Sequence, residues 1–171
     1  TSLSTRRVIA IQHGKVIFNL QASFHAAEPG LDYQLTMPTN VPAPESLPDF
    51  KTRMEPYKKQ LGEWYDRPRP IDVRYVDTDP GSREGNPRQG QRVWMRADGR
   101  LPTDSVLHAC IVTYASDMTL LDTALLPHGL AWTDGSVQMA SLDHAMWFHR
   151  PFRADEWLLY QQSSISTSGS R

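Results

Sequence analysis

The sequence has one cysteine, Cys110, among 171 residues. An internal disulfide is therefore excluded, and so is a cysteine-rich zinc site. Cys110 stands in an apolar run and reads as an inert core thiol, not a nucleophile. No stretch of about 18 apolar residues runs uninterrupted, so no segment reads as a membrane span. A surplus of one charge is missing too. Eighteen Lys and Arg face 19 Asp and Glu, for a net charge of -1. That balance lacks the basic face that DNA or RNA demands. Arg6-Arg7 and the trio Arg67, Arg69 and Arg74 are local clusters that read as solvated surface. The chain opens Thr1-Ser2-Leu3-Ser4, without Met or a signal-like run. The expectation is a cytoplasmic location and a start inside a longer parent.

The common catalytic signatures are also absent. There is no GxSxG nucleophile elbow, P-loop, GxGxxG fingerprint or HExxH pair. Serine-hydrolase chemistry, nucleotide binding and a zincin site lose their usual sequence support. His144 and His149 lie five apart in a segment read as a strand, which puts them on opposite faces and makes a shared metal a poor reading. No cofactor and no metal is expected.

What the sequence does contain divides in three. Residues 1–27 read as a hairpin. Val8, Ile9 and Ile11 lie in its first strand, and His13-Gly14-Lys15 makes the turn. Phe18, Leu20, Ala22 and Phe24 share one face of the return strand by period-two alternation. Residues 28–70 carry many of the 13 prolines. Proline removes a backbone donor and interrupts helix and ladder, so this stretch reads as an extended linker with a short helix around Phe50 to Trp64. Residues 71–171 read strand, strand, helix, strand, strand. The strands are 71–76, 92–97, 137–149 and 157–165, with a polar loop over 79–90. The helix starts at the N-cap Asp104 and ends near Pro127 and Gly129. Leu107, Ile111, Tyr114, Met118, Leu121 and Leu125 recur at spacings of three and four and form its apolar stripe. One such helix among antiparallel strands suits an α+β class in which a sheet wraps a central helix, a pattern that other α+β folds share.

Two sets of polar residues interrupt the apolar pattern. At about 100° per residue, Asp117 lies roughly 80° from the centre of the helical stripe, and Asp122 lies at a similar offset on the other side. Periodicity does not choose between them. Ser141 and Asp143 alternate with Ala140, Leu142 and Ala145, so both point to one face of the expected strand. Polar groups there need hydrogen-bond partners.

At these residues the chain resembles acyl-CoA thioesterase II, a double hot-dog family. The hairpin carries Arg6-Arg7-Val8, Ile11-Gln12, Gly14-Lys15, Ile17-Phe18 and Ser23-Phe24. The helix carries Tyr114-Ala115-Ser116-Asp117 and then Leu125-Leu126-Pro127-His128-Gly129. The most specific run goes from Ser141-Leu142-Asp143-His144 through Met146-Trp147-Phe148-His149-Arg150-Pro151-Phe152 to Glu156-Trp157-Leu158-Leu159-Tyr160. The resemblance implies hydrolysis of fatty acyl-CoA by an activated water. It implies Asp117 as the helical carboxylate and Ser141 as the hydroxyl, Ser standing where the family often has Thr. A family Gln on a last strand has no counterpart before Arg171. The implied architecture is the end of a first hot-dog (1–27), a proline-rich linker (28–70) and a second hot-dog lacking its last strand or strands (71–171).

From that truncation three expectations follow. The chain reads as an internal piece with little activity of its own. Its unpaired sheet edge favours a homo-oligomer or a complementary fragment. Its substrate partner is acyl-CoA. Two alternatives stand beside hydrolysis. A hot-dog hydratase would resemble an Asp-x4-His pattern, but Asp117 is followed by Asp122 and Asp143 by Phe148. A non-catalytic acyl-CoA-binding or assembly module would release no CoA thiol.

Overall fold

A computed structural model describes residues 2–77, 90–132 and 135–169. The polar loop expected over 79–90 lies, up to residue 89, outside the described residues. The chain separates into two compact units, Thr1–Thr39 and Asn40–Arg171.

In the first unit β1 (Leu3–Gln12) pairs antiparallel with β2 (Lys15–His25). His13 and Gly14 link them with φ of 50° and 74°. Two consecutive positive values give the tight turn whose twist matches that of the strands. The register runs from Leu3 opposite His25 to Ala10 opposite Phe18, then resumes at Ile11 opposite Val16. Ile17 is left over as a bulge. Arg7 Nε donates to Asn19 Oδ1 across the pair at 2.9 Å. Val8, Ile11, Ile17, Phe18 and Phe24 all stay exposed on this two-stranded sheet.

The second unit is organised around β4 (Gly90–Ala97). It is the middle strand of an antiparallel sheet between β3 (Ile71–Tyr75) and β5 (Leu158–Ser163). A Cβ at Gly90 would run into the Gln162 carbonyl oxygen, so the strand begins where only glycine lets β5 come this close. Gln91, Val93, Met95 and Ala97 are buried at alternate positions on one face, and Trp94 is buried on the other.

The inner face meets the long helix α4 (Ser105–Leu125). Asp104 caps it by accepting from Val106 N and Leu107 N at 2.9 and 3.3 Å. A 3-10 turn, Leu126–His128, with Gly129 at φ 63°, ends it. Ile71, Val93, Met95 and Ala115 form the core, with Ile111, Met118, Leu158 and Tyr160 packed around them. Ser105–His128 is apolar enough for a membrane span by length and composition, with mean hydropathy 1.2. One face of it packs on the sheet, and 28% of its most apolar stretch is buried.

The proline-rich residues 40–70 cover the sheet, with Pro42 and Leu47 against its outer face and Arg53 over the Tyr75 ring at the end of β3. They are broken into short helices, α1 (Phe50–Met54), α2 (Lys58–Leu61) and α3 (Glu63–Asp66). Carbonyls here have few ladder partners, so side chains from the sheet supply donors. Trp94 Nε1 reaches Pro42 O at 3.0 Å, and Arg74 Nη1 reaches Leu47 O at 2.8 Å. Met54 and Tyr65 are buried. The stretch 40–70 thus belongs to the second compact unit and carries part of its core.

Three expectations are corrected. Residues 137–149 form no strand and are mostly exposed. Apolar alternation marks a strand only where a ladder is available, and no described strand pairs with them. The covered helix face is centred on Ala115 and Thr119, with His108, Ser116 and Thr123 also buried, while Tyr114 is 59% exposed. Small and polar side chains let the helix lie close to the large side chains of β4. Cys110 is exposed, because its side of α4 faces away from the sheet.

A buried amide cluster joins α4 to β4 and β5. Gln91 Nε2 approaches Thr119 O at 3.0 Å, Thr123 Oγ1 at 3.1 Å and Gln162 Oε1 at 2.7 Å. Thr123 Oγ1 donates to Gln162 Oε1 at 3.0 Å, and Gln162 Nε2 donates to Thr119 Oγ1 at 2.6 Å. Two amide protons on Gln91 serve three acceptors, so one is shared. Gln91→Leu should lower the free energy of unfolding in urea by about 1–3 kcal/mol, because it strips partners from buried groups. The double variant with Gln162→Leu should lose less than the sum of the two singles. Additive losses would show that the amides do not act as a unit.

Candidate active site

Asp117 projects from the middle of α4 with its side chain 50% exposed. Its neighbour Ser116 turns inward and is buried. Ser116 Oγ bonds back to Thr113 O at 2.9 Å, a local contact open to a helical serine. The irregular segment 137–149 runs alongside this part of the helix, and side chains hold it there. Ser141 Oγ donates to Asp117 Oδ1 at 2.8 Å. His144 Nε2 is 3.0 Å from Ser116 Oγ, and Met146 Sδ is 3.2 Å from the same hydroxyl. His144 Nδ1 stands 4.0 Å from Asp117 Oδ1.

The protons limit what this cluster does. The single Ser116 proton goes to one acceptor. When Thr113 O receives it, the His144 Nε2–H donates to Ser116 Oγ, and Nδ1 faces Asp117. That last contact is an ion pair only while the imidazole is protonated. Ser141 occupies Oδ1 of Asp117 and leaves Oδ2 without a protein partner among the described residues. A carboxylate with one oxygen held and the other open to solvent is placed to accept a proton from water.

Asp117 and Ser141 are therefore brought together across 24 residues of sequence. Asp143, expected on the same face as Ser141, is exposed and does not join them. His144 does join them, although the sequence reading considered it only as a metal ligand and set it aside. Its signal was its place three residues after Ser141, which the assumption of a strand concealed. In a strand the two would point apart, and in this irregular segment both reach the helix. Among the described residues no group of three or more His, Cys, Asp or Glu converges as metal ligands would.

Asp122 has a different setting. It is half-buried, and the Tyr75 hydroxyl donates to its Oδ2 at 3.4 Å. Burial pushes its carboxyl from 3.8 up to about 6, and the Tyr75 hydrogen bond only partly offsets that. Folding thus favours the protonated acid. The stabilisation is complete below the ordinary carboxylate range and is lost as pH rises through about 6. Unfolding in urea should show about 2–3 kcal/mol less stability at pH 7.5 than at pH 3.5 from this group. Asp122→Asn should flatten that difference, and an unchanged pH profile in the variant would mean that the carboxyl is solvated.

Comparison with known proteins gives the family. The sequence model of the family described as acyl-CoA thioesterase matches residues 69–171. Acyl-coenzyme A thioesterase 8 of Homo sapiens is 41% identical over 183 residues, covering 100% of this chain and 56% of that protein. Acyl-CoA thioesterase 2 of Haemophilus influenzae is 34% identical over 176 residues, covering 96% of this chain and 58% of that protein. The crystal structure of the acyl-CoA thioesterase II TesB2 from Mycobacterium marinum superposes with a TM-score of 0.76 at 44% identity. It covers 99% of this chain and 59% of that one. The chain spans little more than half the length of these relatives. The match over residues 69–171, a long helix on an antiparallel sheet and this degree of identity lead to one conclusion: the chain belongs to the acyl-CoA thioesterase family.

Proposed function

We propose that the protein hydrolyses fatty acyl-CoA thioesters to fatty acid and free CoA, with water as the nucleophile. The observation that carries this reading is the 2.8 Å bond from Ser141 Oγ to Asp117 Oδ1. Asp117 Oδ2 takes a proton from water, and the oxygen attacks the thioester carbonyl. The C–S bond of the tetrahedral intermediate then breaks, and the CoA thiolate leaves and is protonated. Ser141 spends its own proton on Asp117, so its oxygen lone pairs are free to accept from the attacking water and orient it. A thioester carbonyl is reactive enough that no covalent enzyme nucleophile is needed.

The reading extends to architecture. Residues 71–171 are the strands and central helix of a second hot-dog, and β1–β2 closes a first one. It also extends to assembly. A two-stranded hairpin with apolar residues exposed on it is marginal alone, which supports a homo-oligomer. Light scattering at micromolar concentration should give more than a monomer mass, and a monodisperse monomer would remove this part of the reading.

The chemical test uses a protein that carries this sequence over the length of its relatives. Release of CoA thiol from a long-chain acyl-CoA is the readout. Asp117→Asn keeps the size and the hydrogen bond to Ser141 and removes the basicity, so turnover should fall about 10²–10⁴-fold. Ser141→Ala should fall less, since the base remains. Asp122→Asn should stay within a few-fold. Parental turnover in Asp117→Asn would overturn the assignment.

A further inference from the structure

Arg69 is a partly buried cation of the second unit. It lies between Pro68 and Pro70, which fix their own φ and hold the residue before each in an extended conformation. Its side chain is wedged between two rings, the guanidinium carbon 3.5 Å from the Phe50 centroid and 3.9 Å from that of Trp64. Trp64 packs edge-on against Phe50 and against Trp132, at 5.4 and 5.5 Å. One Arg69 nitrogen, Nη2, donates to Trp64 O at 3.1 Å, while Nε is buried with no partner. No carboxylate among the described residues pairs with it. Arg69 is therefore not the solvated surface charge that its cluster implied.

Withdrawing a guanidinium from water without a counter-ion is costly, and the aromatic faces return only part of that cost. The arrangement is preorganised for an anion, because the fork of donors is held flat and its rotamer is fixed before any ligand arrives. Its position relates it to the candidate active site. Tyr114 is within electrostatic reach of Arg69, and Tyr114 stands one helical turn before Asp117 on α4. The Trp64–Trp132 contact ties this clamp to the segment that follows α4, apart from Asp117. CoA suits two separated sites, with phosphates at one end, the sulfur at the other and an uncharged arm between them.

We propose that Arg69, clamped by Phe50 and Trp64, binds a phosphate of the nucleotide end of CoA. This inference rests on the thioester reading of the preceding section for the identity of the ligand. Calorimetric titration with CoA and with pantetheine, which lacks the phosphates of the nucleotide, tests it on the full protein. Arg69→Met should weaken CoA about ten- to a hundredfold, the weight of a charge-assisted contact, and leave pantetheine within twofold. Arg69→Lys should fall between, since it keeps the charge and loses the fork. Should the Met variant not fold, the unmutated protein decides. Inorganic pyrophosphate should compete with CoA, and rising salt should weaken CoA and not pantetheine. CoA affinity within twofold in Arg69→Met, or no competition by pyrophosphate, overturns the inference. Binding is read without turnover, so the two proposals fail separately. CoA held through Arg69 with no thiol release removes the hydrolase reading alone. Hydrolysis with normal CoA binding in Arg69→Met removes this inference alone.

Discussion

Strand β4 is covered on both faces, and the second unit is arranged around that fact. Its inner face alternates Gln91, Val93, Met95 and Ala97 beneath α4, and its outer face presents Trp94 to the proline-rich stretch. A strand buried on both sides needs a layer on each side. The helix forms one layer readily, through its own backbone bonds. The proline-rich residues have fewer such bonds, and the sheet completes them by sending the Trp94 and Arg74 side chains to carbonyls at Pro42 and Leu47. At these two carbonyls a side-chain donor stands where a ladder would supply one.

The candidate active site inherits its rigidity from this arrangement. The amide cluster of Gln91, Gln162, Thr119 and Thr123 holds the second half of α4 to the sheet. Asp117 lies next to that fixed stretch and takes its position from it. The partner segment has no ladder of its own, and Ser141 and His144 are two of the contacts that hold it to the helix. One side of the site is thus set by packing and the other by a few hydrogen bonds.

Much of this was legible in the sequence, and the failures have a common cause. The hairpin, its His13-Gly14 turn, strands β3 and β5, and the helix with its Asp104 cap were readable because each is specified by neighbouring residues. Asp117 and Ser141 could be named only through family resemblance, since periodicity left Asp117 and Asp122 equivalent. Burial separates those two, and burial depends on which helix face meets the sheet. The stripe through Tyr114 misjudged that face, because close packing on β4 favours Ala115 and Thr119 over larger apolar residues. The error over Cys110 follows from the same rotation. Residues 137–149 show strand alternation without a ladder, a tertiary circumstance that no local pattern records. Arg69 shows this most clearly, since a charged residue in a polar, proline-rich stretch gives no sign of the rings at Phe50 and Trp64 that enclose it.

The contrast between the two sheets has a consequence for how the chain acquires its structure. The β1–β2 pairing starts across a two-residue turn, with Gln12 opposite Lys15. A hairpin of this kind closes on a timescale of about 1–10 μs. The β4–β5 pairing sets Val93 opposite Tyr160, with all of α4 and the segment bearing Ser141 between them. That long loop must close before a single ladder bond forms, so its entropy is lost first and its contacts come later. The second sheet is therefore the slow step, and β4 still waits for its partner strand while the hairpin, marginal alone, already opens and closes.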